Sequence, residues 1–502
     1  MKNKIAILLF CLPLLAHSQK ITYSSPESED TRALDFEVIG KVGGNFLVYK
    51  NIRNKYAVSV YDNDMKMKDK VSLGFMPEKA INTDFVAYPD YAWMLYEFQK
   101  RSILHCMAVK LDPNGKLIGE PIELDTTSIG FFSDNKIYSS VASEDKQKIM
   151  VYKIQKKYEK FTFTTLLFNS EFHLLHKTHI ALPFDDRKDT YTDFHLDNDG
   201  NFVFCKGLKG GSRELTQKVS LVTKAAGSDD FIFNELNLSN HLLDEVKIKV
   251  DNVNKHYLLN SFFYTQKHGN IQGLFIAVWD RELNKQIIQK VIDFQDTLRQ
   301  EAKTDGPSKL AFNDFFIRNV VLRKDGGFIL TGEDYYTQSR NSPWNRFDYL
   351  NGYPYSNSYD YYNSPSSYYY RPRSFYGNGS QTRYFYDNIV IMSINKEGSL
   401  VWSNVVHKTQ FDDENDNYLS FQLMASGGEL HFLFNELQRQ NELLIDQSIT
   451  ADGVLTRNPT LKSLDKGFQF LPRFGKQVGS RQLIIPCTYR NFICFAKIDF
   501  GQ

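Results

Sequence analysis

Three histidines, His173, His176 and His179, stand in the phrase FHLLHKTHI, and imidazoles this close together suggest a metal site. The flanks of the phrase read as strand, and on a strand the spacing defeats chelation. His173 and His179 share a face but are separated by about 20 Å at roughly 3.3 Å per residue, while His176 points to the other face. The other histidines beyond residue 18 (His105, His195, His241, His256, His268, His407, His431) form no ligand spacing. The acidic phrase Phe411-Asp412-Asp413-Glu414-Asn415-Asp416-Asn417 offers a second possibility, with Asp412, Glu414 and Asp416 as oxygen donors to Ca²⁺. A calcium loop of the EF-hand type needs Gly at its sixth position and Glu at its twelfth; here those positions hold Asn417 and Leu423. The phrase therefore reads as a solvated acidic loop, or as one in salt contact with nearby arginines.

Nucleophile, zincin, Walker and dinucleotide motifs are absent from the sequence. Asp62-Asn63-Asp64 and Asp197-Asn198-Asp199-Gly200 read as turns, because Asx side chains cap their own backbone. Carboxylates for glycoside chemistry could still gather from separate parts of the chain, with Asp185, Asp186, Asp189, Asp413 and Asp416 as the available set. No catalytic residue, cofactor or metal ligand is assigned on this basis.

Recognition chemistry is better represented. Tyr335 to Tyr386 holds 14 of the 29 tyrosines, with Trp344, Phe347, Phe375, Phe385 and five arginines, and it has no Lys or Glu. Leu350 is its only aliphatic side chain larger than Ala. Such a segment cannot build an aliphatic core. Tyrosine gives wide contact area at low rotamer cost, arginine adds planar donors, and Ser, Asn and Gly let the backbone adapt. The candidate partner-binding residues are Trp344, Tyr353, Tyr355, Tyr368, Tyr369, Tyr370, Arg371, Arg373 and Tyr376. The plain alternative is a low-complexity surface loop.

The N-terminus reads as a secretory signal peptide over residues 1–18. Lys2 and Lys4 precede the apolar run Ile5 to Leu15, and Ala16-His17-Ser18 suits a cleavage site before Gln19. That run is too short to span a bilayer. Removing the two lysines turns 60 basic and 59 acidic residues into 58 and 59, a net charge of −1. A duplex-binding protein carries a basic excess, so nucleic acid is not an expected partner. Cys106, Cys205, Cys487 and Cys494 remain. If Arg490-Asn491 forms a two-residue hairpin turn, Cys487 and Cys494 are directly opposed. They are expected as buried thiols, with a disulfide as the alternative, because directly opposed strand positions strain that bond.

Residues 19–502 read as one repeating domain. A turn-then-strand phrase recurs eight times: VGGNFLVYK, YPDYAWMLYE, SDNKIYSSV, NDGNFVFCK, VNKHYLLNS, KDGGFILTG, SGGELHFLF and GSRQLIIPC. Second phrases such as VYDNDMKMKDKVSL and SINKEGSLVWSNVV follow, and two phrases make one four-stranded antiparallel sheet. Eight repeats begin near Phe36, Ile81, Thr127, Tyr191, Asn252, Phe315, Tyr418 and Phe468. The last stops short of a fourth strand, which the N-terminal piece Lys20 to Tyr23 can supply. The expected fold is therefore all-β, a single closed β-propeller of eight (alternatively seven) four-stranded blades, the last completed by the N-terminal strand.

The signal peptide followed by Gln19, the Asn/Lys/Tyr/Phe-rich composition and the phrase Asn395-Lys396-Glu397-Gly398-Ser399-Leu400-Val401-Trp402 resemble exported β-propeller proteins of Bacteroidota, of the quinoprotein-like and WD40-like kind. The resemblance implies a fold and names no activity; the Gly-His and Trp-Asp pairing of WD40 repeats does not recur here. In such a blade the aromatic segment lies between strand B (Gly327 to Thr331) and strand C (Asn388 to Ile394) of the sixth repeat. The crossings Phe294 to Leu310, Thr409 to Asn417 and Asp185 to Thr190 share that face, and binding residues concentrate on loops carried by rigid scaffolds. The expected function is non-enzymatic binding of a protein or glycan partner in the cell envelope. The expected location is the periplasm or the periplasmic side of the outer membrane, with secretion as a variant. Two alternatives stay open: a polysaccharide hydrolase or lyase using carboxylates at the channel mouth, and a structural subunit of an outer-membrane complex.

Overall fold

The computed structural model describes residues 19–28, 34–129, 136–157, 160–183, 185, 188–211, 214–267, 269–303, 312–339, 343–350, 382–413, 415–438, 441–459, 461 and 467–501. Over these residues the chain is all-β, with antiparallel ladders throughout and two short α-helices, Asp296–Ala302 and Arg346–Leu350.

The strands sort into eight four-stranded repeats in chain order. Repeat 1 is Leu34–Val42, Asn45–Ile52, Lys55–Tyr61 and Met67–Ser72; repeat 2 is Asn82–Ala87, Ala92–Lys100, Ile103–Leu111 and Leu117–Ser128. Repeat 3 is Tyr138–Ala142, Lys148–Lys157, Lys160–Asn169 and Leu174–Pro183. Repeat 4 is Asp189–Leu196, Phe202–Lys209, Thr216–Lys224 and Ile232–Glu235; repeat 5 is Lys247–Asp251, His256–Tyr264, Gly273–Asp280 and Lys285–Asp293. The short strand Leu242–Leu243 pairs with both of these and joins them into one nine-stranded sheet. Repeat 6 is Phe315–Leu322, Phe328–Ser339, Thr382–Ile394 and Leu400–Val406; repeat 7 is Phe421–Ser426, Glu429–Gln438, Asn441–Thr450 and Leu455–Arg457.

Repeat 8 takes Lys476–Gly479, Gln482–Tyr489 and Phe492–Asp499 from the C-terminal end, with Phe468–Phe470 also on its second strand. Its fourth strand is Lys20–Tyr23, in the register Lys20 to Asp499 through Tyr23 to Ala496. The expected pairing of the two chain ends is borne out. Two repeat boundaries differ from expectation. Thr127 belongs to the outer strand of repeat 2, and repeat 3 begins at Tyr138; repeat 5 begins at Lys247, and Asn252 is its first turn. At repeat 5 the tight turn after the short inner strand carries the stronger sequence signal. At repeat 3 the strand of the phrase SDNKIYSSV, read as following the first turn, is the inner strand Tyr138–Ala142 itself, and the second strand is Lys148–Lys157.

Apolar side chains pack between consecutive repeats. Tyr49 and Val58 of repeat 1 meet Met94 and Val109 of repeat 2, and Leu274 and Ile276 of repeat 5 meet Leu330 and Met392 of repeat 6. Comparable cores join the remaining neighbours. The last joins repeat 8 to repeat 1, where Phe36 meets Phe495 edge-on at 5.6 Å between ring centroids. Strands covered on both faces read as continuous apolar runs, as in GLFIAVWD of repeat 5, buried from Gly273 to Trp279. The outer strand MKDKVS of repeat 1 has one covered side and is largely exposed. Each fully buried Phe, Leu or Ile contributes about 1.5–3 kcal/mol, so the cores between repeats dominate the fold.

The turn chemistry matches the Asx reading. Asp62 Oδ1 accepts the backbone N–H groups of Asp64 and Lys66, and Asp112 Oδ1 those of Asn114 and Lys116. In the phrase that carries the propeller resemblance, Asn395 Oδ1 accepts from Ser399, and Trp402 Nε1 donates to Ala451 O on the turn of repeat 7. Trp402 also explains Gly453, where an added Cβ would lie 2.8 Å from the indole.

Candidate functional site: the root of the aromatic insertion

The second and third strands of repeat 6 run past the sheet into the aromatic segment. Tyr335 pairs with Tyr386, and the ladder continues to Ser339 with Thr382. This corrects the expectation that the blade ends at Thr331 and resumes at Asn388. A bulge between Glu333 and Tyr335 resets the register, and aromatic side chains then favour the extended pair. Gln410–Asp412, from the crossing into repeat 7, adds a strand against Tyr384–Tyr386. That crossing therefore borders the insertion, as expected.

The acidic phrase is resolved by the same contact. Arg383 Nε and Nη2 donate to the two carboxylate oxygens of Asp413 at 2.6 and 2.9 Å, and Asp412 Oδ1 accepts the Asn415 N–H. Glu414 lies outside the described residues.

An aromatic cluster sits where the insertion leaves the sheet. Tyr335 packs against Trp344, Tyr349 and Tyr386 at centroid distances of 5.3, 4.7 and 4.6 Å, and Phe316 meets Tyr349 at 4.6 Å. Trp344 Nε1 donates to Asp314 Oδ1 at 2.7 Å, so this candidate contact residue has its polar edge engaged and its ring half-buried. The guanidinium of Arg346 lies 3.8 Å from the Phe316 ring centroid and donates from both Nε and Nη2 to Asp244 Oδ2. Asp244 belongs to the connection between repeats 4 and 5, so the helix Arg346–Leu350 is pinned across the same face. The other candidates, Tyr353, Tyr355, Tyr368, Tyr369, Tyr370, Arg371, Arg373 and Tyr376, lie outside the described residues.

Beneath the cluster is a buried ionic layer. Glu333, with no exposed surface, accepts from Arg318 Nε at 3.1 Å and Ser420 Oγ at 2.8 Å, and Lys408 Nζ lies 2.9 Å from its other oxygen. Lys408 also donates to Tyr386 O and Gln410 Oε1, each at 2.9 Å. Tyr386 OH donates to Asp416 Oδ2 at 2.9 Å, and Arg473 of repeat 8 reaches both groups at 2.8 and 3.0 Å. Arg318 Nη1 donates to Tyr349 OH at 3.2 Å. Tyr386 thus ties repeats 6 and 8 to the crossing into repeat 7.

Burial shapes the charges here. It pushes the Lys408 ammonium below its usual range against the pull of Glu333. It raises Asp387 to about 6, opposed by Lys408, and lifts Asp334 well above the carboxylate range, helped by Asp314 and Asp387. Arg318 occupies the bulge between Ile317 and Asn319, and Ser420 has φ 70°, a left-handed conformation that costs a non-glycine residue about 1 kcal/mol or more. Strain of this kind persists where surrounding contacts over-determine it.

Such paired charges hold a surface in place. Of the available acids, Asp189 lies 3.4 Å from Lys206, Asp413 pairs with Arg383 and Asp416 with Arg473; Asp186 lies outside the described residues. His176 and His179 stand on the outer strand of repeat 3 with separate partners, Asp229 at 2.9 Å and Thr164 at 3.0 Å. Between repeat 4 and the insertion helix is a cleft enclosing about 430 Å³, counted with its open mouth. Thr190, Lys209, Thr216, Asp244, Phe347 and Leu350 help line it. Sequence reasoning missed Arg318, Glu333, Lys408, Asp244 and Arg473; they lie far apart in the chain, and their partners follow only from the stacking of repeats.

No protein-family model matches the chain, and no curated protein matches it. Solved structures that resemble it include a PL25 polysaccharide lyase, ulvan lyase, bound to -[GlcA(1-4)Rha3S]- (10% identity, TM-score 0.37, covering 83% of this chain and 91% of that one). Oligopeptidase B from Leishmania major gives 8% identity and TM-score 0.39 over 91% of this chain and 54% of that one. The apocarotenoid oxygenase of Synechocystis gives 10% identity and TM-score 0.36 over 96% and 91%. Their three named activities differ, and likenesses at this level carry no argument about function.

Proposed function

We propose that this chain is an exported, non-enzymatic binding protein whose eight repeats form a closed propeller. In this reading it recognises a protein or glycan of the cell envelope through the face that carries the insertion. It works in the periplasm or at the periplasmic side of the outer membrane, alone or with an outer-membrane protein complex. The observation that carries the reading is the root of the insertion. Residues 351–381, rich in Tyr, Arg, Asn, Ser and Gly, spring from a base locked by Arg346–Asp244, by the Tyr335 cluster and by the Glu333 ion layer. A fixed base reduces the entropy that a recognition segment loses on binding. Asp189, Asp413 and Asp416 each lie against a separate cation, Lys206, Arg383 and Arg473, which supports reading them as structural rather than catalytic acids.

The test is affinity capture from the native cell envelope, using the full chain and a chain in which 351–381 is replaced by a short Gly/Ser linker. The full chain should recover a partner that the replaced chain loses. Equal recovery by both would refute the reading.

A further inference from the structure

Cys487 and Cys494 sit on the last hairpin of repeat 8, directly opposite each other in the ladder. The turn between the strands fixes that register. Arg490 and Asn491 both have positive φ, 49° and 68°, the conformation of a two-residue primed turn whose twist matches its strands. Both cysteines are fully buried, in the core that repeat 8 shares with repeat 7. Their sulfur atoms are 2.8 Å apart. Non-bonded heavy atoms reach best contact only at about 3.5–4.0 Å, so this separation is tight for two thiols. Both are free, buried thiols in this structure, as expected, and the strand register brings their sulfurs within reach of a bond. Cys106 and Cys205 belong to other cores, those of repeats 2–3 and 4–5.

We propose that Cys487 and Cys494 form a disulfide in the exported protein, a covalent staple across the hairpin that pairs with the N-terminal strand. The oxidant is a protein disulfide of the export compartment. One cysteine thiolate attacks that disulfide to give a mixed disulfide, and the second thiolate displaces it. The Sγ–Sγ bond forms, both S–H bonds are lost, and the two electrons and two protons leave as the oxidant's dithiol. The exchange takes place before the hairpin is covered, since burial and the neighbouring Cys494 thiol raise the Cys487 thiol far above its ordinary range and suppress the thiolate afterwards. Only compartments that are oxidising make the bond, so the staple rests on the export reading given above.

The test uses the chain produced once with its leader in an oxidising compartment and once without residues 1–18 in a reducing cytosol. Each sample is denatured in alkylating agent and digested with trypsin without reductant. Cleavage after Arg490 separates Gln482–Arg490 from Asn491–Lys497, so only a disulfide can keep them together. The exported sample should give this linked pair, two hydrogens lighter than the separate peptides, with Cys106 and Cys205 alkylated. The cytosolic sample should give four alkylated cysteines. A confirmed exported sample with all four cysteines alkylated would overturn the proposal, as would a link from either cysteine to Cys106 or Cys205. Failure of export shows instead as an uncleaved leader in the intact mass; in that case purified chain unfolded and refolded in oxidised glutathione must give the same linked pair, and alkylation of both Cys487 and Cys494 there overturns the proposal.

Discussion

Arg346 Nε donates to Asp244 Oδ2 at 2.7 Å across 102 positions of sequence, and this one contact fastens the start of the aromatic insertion to the junction of repeats 4 and 5. Both side chains are buried, at 9% and 2% exposure. Removing one member of a buried pair leaves the other charge uncompensated and costs about 3–5 kcal/mol. Arg346→Ala should therefore lower the free energy of unfolding in urea by about 3 kcal/mol or more. Arg346→Ala with Asp244→Ala should recover part of that loss. A loss under about 1 kcal/mol for the single variant would mean that the pair is no better than a surface contact.

The N-terminal strand should be needed for stability beyond its length. Lys20–Tyr23 covers the edge of Phe492–Asp499, and beyond it Glu27 meets the buried Lys50 and Tyr61 of repeat 1. Deleting 19–24 bares a sheet edge and shifts Glu27 out of register. Thermal melts and light scattering should report a midpoint lower by several degrees or aggregation on heating. An unchanged melt would mean that the last repeat is stable with three strands.

The all-β class, the repeat count and the pairing of the chain ends were legible in the sequence because each depends on local signals. Gly, Asn and Asp mark the turns, and a final repeat that is one strand short calls for a partner. Two inner strands were misplaced: at Lys247 the turn after a five-residue strand outweighs it, and at Tyr138 the inner strand follows a turn-like phrase and so reads as the second strand of its repeat. The site was only half legible. The Tyr and Arg bias marks the insertion, but a ladder continuing through Tyr335–Ser339 looks like more low-complexity sequence. The layer of Arg318, Glu333, Lys408 and Arg473 has no sequence signature, since charged residues normally read as surface.

Glu37 should make stability depend on pH. It is buried on the inner strand of repeat 1, with Lys476 Nζ 3.7 Å from one carboxylate oxygen. Burial raises it to about 7; Lys476 and Lys136 oppose that shift, and Asp84 adds to it. Its folded value therefore lies above its unfolded one, so its contribution is full below the ordinary carboxylate range and is lost as pH rises through about 7. Glu37→Gln should resemble the parent near pH 5 and gain up to about 3 kcal/mol on it by pH 8. Urea titrations at several pH values measure the difference. A gap that stays constant with pH would show that Glu37 is ionised throughout.

The insertion divides into a structural base and the segment 351–381 proposed for recognition, and the two should respond differently to replacement. Replacing 335–386 removes the extended ladder, Tyr386 and the Arg346 contact, so that variant should be destabilised or insoluble. Replacing 351–381 leaves all of them in place and should keep the parent melting temperature within a few degrees. On the intact fold, partner affinity then reports on the segment alone. Tyr369→Ala with Arg371→Ala should weaken binding by at least about 2 kcal/mol if these residues are central anchors, because truncated hot spots of these types cost that much. Binding to the captured partner, measured by calorimetry with matched melting curves, decides it. Parent-like affinity in the double variant would move the contact elsewhere on this face, and the cleft lined by Thr190, Lys209 and Asp244 would be the next place to substitute.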